Sequence, residues 1–177
     1  MRSYILVLTL LAQAVLAAPK VSVLPERPLI EVGRGGVQTL NFDLLIENGE
    51  GPLEITRIEM SVFAPDGTFI NQQRLQSDGG SIDTLPKRGV EPKGRLVIFN
   101  PFHTVPADVR IGHLTYEIFW RDGTTSAVDI RPRAFEQRAV LEIPVAGRVF
   151  VHDGHDFLSH HRRLDITGMM TTSLGIN

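Results

Sequence analysis

The run His113-Leu114-Thr115-Tyr116-Glu117-Ile118-Phe119-Trp120, then Arg121-Asp122-Gly123, then Thr124-Thr125-Ser126-Ala127-Val128-Asp129-Ile130, decides the fold class. Successive side chains of a strand point to opposite faces, so Leu114, Tyr116, Ile118 and Trp120 share one face, and that face is expected to be core. Asp122-Gly123 is turn chemistry, because glycine takes the positive φ that a tight hairpin needs. The same form recurs upstream, where Arg57-Ile58-Glu59-Met60-Ser61-Val62-Phe63 meets Thr68-Phe69-Ile70-Asn71 across Pro65-Asp66-Gly67. Two hairpins follow from these readings.

Further out, Thr39-Leu40-Asn41-Phe42-Asp43-Leu44-Leu45-Ile46 places Leu40, Phe42, Leu44 and Ile46 on one face of a strand, and Glu47 to Pro52 break it. Arg95-Leu96-Val97-Ile98-Phe99 and Ala139-Val140-Leu141-Glu142-Ile143 are shorter β-rich runs. No window after the first residues sustains the i, i+3, i+4, i+7 apolar spacing of an amphipathic helix. About eight strands at roughly ten-residue spacing predict an all-β chain, an antiparallel sandwich of the immunoglobulin or fibronectin kind over residues 18–143. The polar stretch Gln76–Ser81 and the proline-bounded Asn100–Pro106 read as loops of that sandwich, and His103 and His113 as structural or solvated.

A chain of 177 residues with 42% hydrophobic content can bury one real core. Its net charge of −2, without a basic stripe interleaved with aromatics, argues against nucleic acid as a partner. Met1-Arg2-Ser3-Tyr4, an apolar run from Ile5 to Ala12 and small residues up to Ala18 have the order of a secretory signal peptide, with cleavage expected after Ala17. The apolar run is shorter than the roughly 20 residues that span a bilayer, so no membrane span is expected after cleavage. With no cysteine in the chain, the exported domain must hold together without disulfides, which suits a bacterial periplasm or exterior.

Pro144-Val145-Ala146-Gly147 marks a change of pattern and the expected boundary of the sandwich. Beyond it, His152, His155, His160 and His161 place four of the six histidines within ten residues, interleaved with Asp153 and Asp156 and followed by Asp165. Imidazole and carboxylate together are a donor set suited to zinc. The remaining residues, 144–177, are too few to bury a core of their own.

From Leu141-Glu142-Ile143-Pro144-Val145-Ala146-Gly147-Arg148-Val149 through Asp153-Gly154-His155 to Ser159-His160-His161, the chain resembles the start of the catalytic domain of M23-type (lysostaphin-like) zinc metallopeptidases. The likeness is to the double-histidine subgroup, in which a Pro-x-x-Gly strand precedes a glycine and a pair of histidines. Many such enzymes are exported peptidoglycan endopeptidases, and some carry a β-sandwich module ahead of the catalytic domain. The resemblance implies zinc as cofactor, one histidine of the His160-His161 pair as first ligand and an aspartate as second, for which Asp165 has a suitable spacing. It also implies a cell-wall peptide or glycan as partner.

The family's third ligand comes from a His-x-His motif, and no His-x-His occurs in this sequence. The chain is therefore expected to be catalytically incomplete, a sandwich followed by the first part of a peptidase domain, unless His152 or His155 substitutes. A catalytic zinc needs three protein ligands and an open position for a water that it acidifies toward a pKa of about 7. Two further readings stay open. The sandwich could be a non-catalytic binding module for cell wall, carbohydrate or protein, or the histidine cluster could serve an extracytoplasmic metal-binding protein. No Gly-x-Ser-x-Gly, phosphate-binding Gly-x-x-x-x-Gly-Lys or Gly-x-Gly-x-x-Gly motif occurs.

Overall fold

The computed structural model describes residues 18–32, 36–85, 87–135 and 144–150. Twelve strand segments occur in it: β1 Lys20–Leu24, β2 Leu29–Val32, β3 Val37–Leu40, β4 Asp43–Glu47, β5 Leu53–Phe63, β6 Phe69–Gln76, β7 Gly89–Val90, β8 Arg95–Phe99, β9 Thr104–Pro106, β10 His113–Trp120, β11 Thr125–Ile130 and β12 Arg133–Ala134. The helical content among these residues is one 3₁₀ turn, Ser81–Thr84. The protein is all-β, as its alternation predicts.

Both Asp-Gly hairpins form, and with one geometry. Ala64 N donates to Thr68 O at 2.8 Å and Gly67 N to Ala64 O at 2.9 Å; Trp120 N donates to Thr124 O at 3.0 Å and Gly123 N to Trp120 O at 3.1 Å. The glycines sit at φ +85° and +88°, where a side chain would be strained. In each turn the aspartate Oδ1 accepts the N–H of the threonine two residues on, at 2.9 Å. The hairpins join through antiparallel pairing of β5 with β10, which gives the strand order β11-β10-β5-β6, with β7 beside β5 beyond the end of β6.

The opposing layer holds the orders β1-β4-β8 and β12-β2-β3-β9. These meet because β3 with β4, and β8 with β9, are consecutive segments of two bent runs. The continuous strand expected over Thr39–Ile46 is broken at Asn41-Phe42, where Phe42 N donates to Leu40 O at 3.1 Å and Leu40 N to His103 O at 2.8 Å. The matching bend after β8 is organised by Asn100, which is fully buried: its Oδ1 accepts from Tyr116 Oη at 2.7 Å and from Phe102 N at 3.0 Å, and its Nδ2 donates to Leu40 O at 3.4 Å. Counting each bent run once and setting aside the two-residue β7 and β12, the described residues hold eight strands.

Inward side chains of both layers form one core. Leu40, Phe42, Leu44 and Ile46 meet Ile58, Met60, Val62, Leu114, Tyr116 and Ile118, all without solvent exposure. Burial of each such side chain is worth about 1.5–3 kcal/mol. Phe42 meets the Tyr116 ring edge-on at a centroid distance of 5.6 Å. Burial pushes the Tyr116 phenol well above its ordinary pKa, partly offset by the bond to Asn100.

Candidate functional site

The residues singled out for metal chemistry, His155, His160, His161 and Asp165, lie outside the described residues, as do His152, the signal sequence 1–17 and the Ala139–Ile143 run. Residues 144–150 are described and carry no strand, so the extended Pro-x-x-Gly segment implied at Pro144–Gly147 is not formed there. Pro144 has no N–H to give a ladder, and Gly147 adopts φ +90°. Val145, Val149 and Phe150 are exposed in this stretch. Among the described residues, no group of three or more His, Asp or Glu could hold a metal. No helix among them is long and apolar enough to cross a membrane.

What the structure does bring together is the outer face of the β11-β10-β5-β6 sheet. The β5–β10 register sets Phe119 opposite Arg57, Glu117 opposite Glu59, Thr115 opposite Ser61 and His113 opposite Phe63. On the other side of β5, Arg57 faces Gln76, Glu59 faces Arg74, Ser61 faces Gln72 and Phe63 faces Phe69. These pairs make four cross-strand rows.

The first row is cationic and aromatic: the Arg57 guanidinium carbon lies 3.7 Å from the centroid of the Phe119 ring. Arg57 Nε is buried without a hydrogen bond, so its 3.2 Å contact with Glu59 Oε1 is an ion pair without good alignment. Glu59, only 9% exposed, also takes Gln72 Nε2 at 3.2 Å and lies 3.9 Å from Arg74 Nε. That compensation lets a carboxylate sit low in a sheet face. The last row is aromatic: His113 stacks on Phe63 at 4.5 Å and 3° between planes, and Phe63 meets the exposed Phe69 edge-on at 5.8 Å. His113 is thus structural, as its isolation in sequence suggests.

At the Phe119 end the face opens into a shallow cleft of about 250 Å³ bordered by Arg57, Gln76, Asp78 and Thr124. A second shallow cleft, about 390 Å³, lies beside Glu54, Gly89 and Arg121. Glu54 accepts Arg121 Nη2 there at 2.8 Å, which neutralises its charge within the fold. Flat rings, amides and guanidinium groups on an open face suit recognition of a polar surface better than enclosure of a small substrate. Nothing in the one-dimensional pattern reveals this face, since its rows exist only once β5 and β10 pair.

No protein-family model and no curated protein matches this chain. Its functional reading rests on its own residues.

Proposed function

We propose that the chain is the exported β-sandwich module of an M23-like peptidoglycan metallopeptidase, with residues 144–177 forming the start of the peptidase part. The carrying observation is the order Asp153-Gly154-His155 … Ser159-His160-His161 … Asp165 placed directly after a sandwich. Supporting it, the core side chains among the described residues run from Val23 to Ile130, the span read from sequence as the sandwich. In this reading one histidine of His160-His161 and the Asp165 carboxylate hold zinc, with His155 as a further donor, and the protein works in the periplasm or outside the cell on cell-wall peptide. Imidazole and carboxylate are the right donor chemistry for that ion.

Calorimetric titration of zinc into residues 18–177, beside the His160→Ala/His161→Ala double variant, tests this. One-to-one binding on the order of micromolar or tighter, lost in the variant, is expected. Equal heats from both proteins would overturn the metal assignment.

The outer face of the sheet favours a second reading, a non-catalytic module that recognises cell-wall glycan or protein. Removing all residues after Gly147 separates the two. The binding reading expects the shortened protein to fold and to pellet with isolated cell walls as the full chain does, whereas the peptidase reading places the chemistry in the part removed.

A further inference from the structure

The sequence holds one Asn-Gly pair, Asn48-Gly49, directly after β4. That dipeptide carries a chemistry of its own. The backbone nitrogen of the following residue can attack the asparagine side-chain carbonyl, and glycine, without a side chain, hinders the approach least. The other internal asparagines are less disposed to it: Asn41 precedes Phe42, Asn71 precedes Gln72, and Asn100 precedes Pro101, whose nitrogen has no proton to lose.

The fold closes on this pair. Asn48 Nδ2 lies 2.7 Å from Gly51 O, 3.0 Å from Val90 O and 2.9 Å from Glu91 O. An amide nitrogen has only two hydrogens, so three backbone carbonyls engage it fully. Around it, Asn48 N donates to Gly94 O at 2.9 Å and Lys93 N donates to Gly49 O at 2.6 Å. Residues 48–51 are thereby fastened to residues 90–94, which lead from β7 into β8. That second segment contains the turn Glu91-Pro92-Lys93-Gly94, in which Gly94 N donates to Glu91 O at 2.9 Å and Lys93 takes φ +56°, a left-handed conformation that glycine or asparagine adopts more readily. The Asn48 amide, donating to the Glu91 carbonyl, helps to hold the turn in that form.

We propose that Asn48-Gly49 is a guarded site of self-modification: the closed loops protect the amide, and their opening exposes it to an irreversible conversion. In the open state the Gly49 backbone nitrogen gives its proton to hydroxide and bonds to Asn48 Cγ. The Cγ–Nδ2 bond then breaks, and Nδ2 takes a proton from water and leaves as ammonia. Water adds to either carbonyl of the resulting cyclic imide, giving aspartate or isoaspartate at position 48. In the closed state the three carbonyls fix the orientation of the side chain, and they bind the planar amide of the starting state rather than the amine that forms as the nitrogen is attacked. The product cannot restore the clamp, because a carboxylate has no hydrogen to donate and would face three carbonyl oxygens. A transient opening is recorded as a permanent change. The proposal is independent of the peptidase reading, since it uses no residue beyond Gly94.

The test is to incubate the full chain at mildly alkaline pH, folded in buffer and unfolded in urea, and to locate the amide-to-acid mass increase by tandem mass spectrometry. Loss of the amide at residue 48 is expected to be slower in the folded protein by about tenfold or more, because it proceeds only through molecules whose loops are open. Gly49→Ala isolates the chemistry. Nothing lies within 4 Å of a Cβ placed on Gly49, so this variant should melt with the native protein while its Asn48 amide outlasts the native one in urea. Asn48→Asp, the product made directly, should melt at a lower temperature and lose hydrogen-exchange protection at the Lys93 N–H. Equal rates in buffer and urea, an amide that survives in both, a Gly49→Ala chain that reacts as fast as the native one in urea, or an Asn48→Asp protein that melts with the native one overturns the proposal.

Discussion

The hairpins β5–β6 and β10–β11 begin from the same turn and end differently. Both use an Asp-Gly-Thr turn with a left-handed glycine and an aspartate that accepts the threonine N–H at 2.9 Å. Both outgoing strands, β5 and β10, bury an alternating apolar row. The returning strands part company: β11 turns Ser126, Val128 and Ile130 inward and is tied to Pro19, while β6 turns Asn71, Gln73 and Leu75 inward. A turn thus sets register over a few residues, and the inward side chains of the returning strand decide how fully it packs into the sandwich core.

The largest expected effect comes from breaking the joint between the hairpins. Gly112 enters β10 with its N–H donated to Phe63 O at 2.7 Å, and a Cβ there would fall 2.4 Å from Ala64 O and 2.6 Å from Pro65 Cα. Backbone atoms cannot swing aside as a flexible side chain can. Gly112→Ala should cost about 3 kcal/mol, near the upper end for overpacking, and lower the denaturant midpoint. An unchanged midpoint would mean that the hairpins meet less tightly.

Next is the seal on β11. Ser126→Ala removes the acceptor of Trp120 Nε1 and the donor to Pro19 O, leaving two buried polar groups unmatched. A loss of about 2 kcal/mol is expected, with Trp120 fluorescence reporting the changed contact of the indole. On β6 the sign should reverse. Asn71→Leu replaces an amide whose Oδ1 already lacks a donor, so the change should be neutral or stabilising by up to about 1 kcal/mol. Equal destabilisation by both substitutions would erase the distinction between the two returning strands.

These differences also mark what could be read in advance. The Asp-Gly turns and the rows Leu114-Tyr116-Ile118-Trp120 and Leu40-Phe42-Leu44-Ile46 were legible because their information lies within a few residues of chain. The bend at Asn41-Phe42 was not, because Tyr116 and Asn100 impose it from 60 or more residues away in the case of Asn100 to Leu40. The full extent of β6 escaped for the opposite reason: beyond Asn71 its one apolar side chain is Leu75, so it has no period to detect. The Arg57–Phe119 contact depends on the pairing of β5 with β10, which no local window contains. The histidine segment is conspicuous by composition, but composition carries no geometry.

The smallest effect, and the finest test of the paired turns, lies at Asp66. Hydrogen bonds from Thr68, first its backbone N–H and then its hydroxyl, hold the Asp66 carboxyl below the ordinary aspartate value of 3.8. A carboxyl whose pKa is depressed by folding stabilises the folded state fully above the unfolded value, and that contribution disappears as the pH falls through the folded value. The native protein should therefore exceed Asp66→Asn in melting temperature above pH 3.8, and the two should converge on further acidification. Thermal melts from about pH 2 to 6 measure the convergence. Because Asp66 is fully exposed, solvent screens the interaction and the gap should be small. A gap that widened in acid would have the wrong sign for a turn held by its carboxylate, and would separate Asp66 from the role that its place beside Gly67 assigns to it.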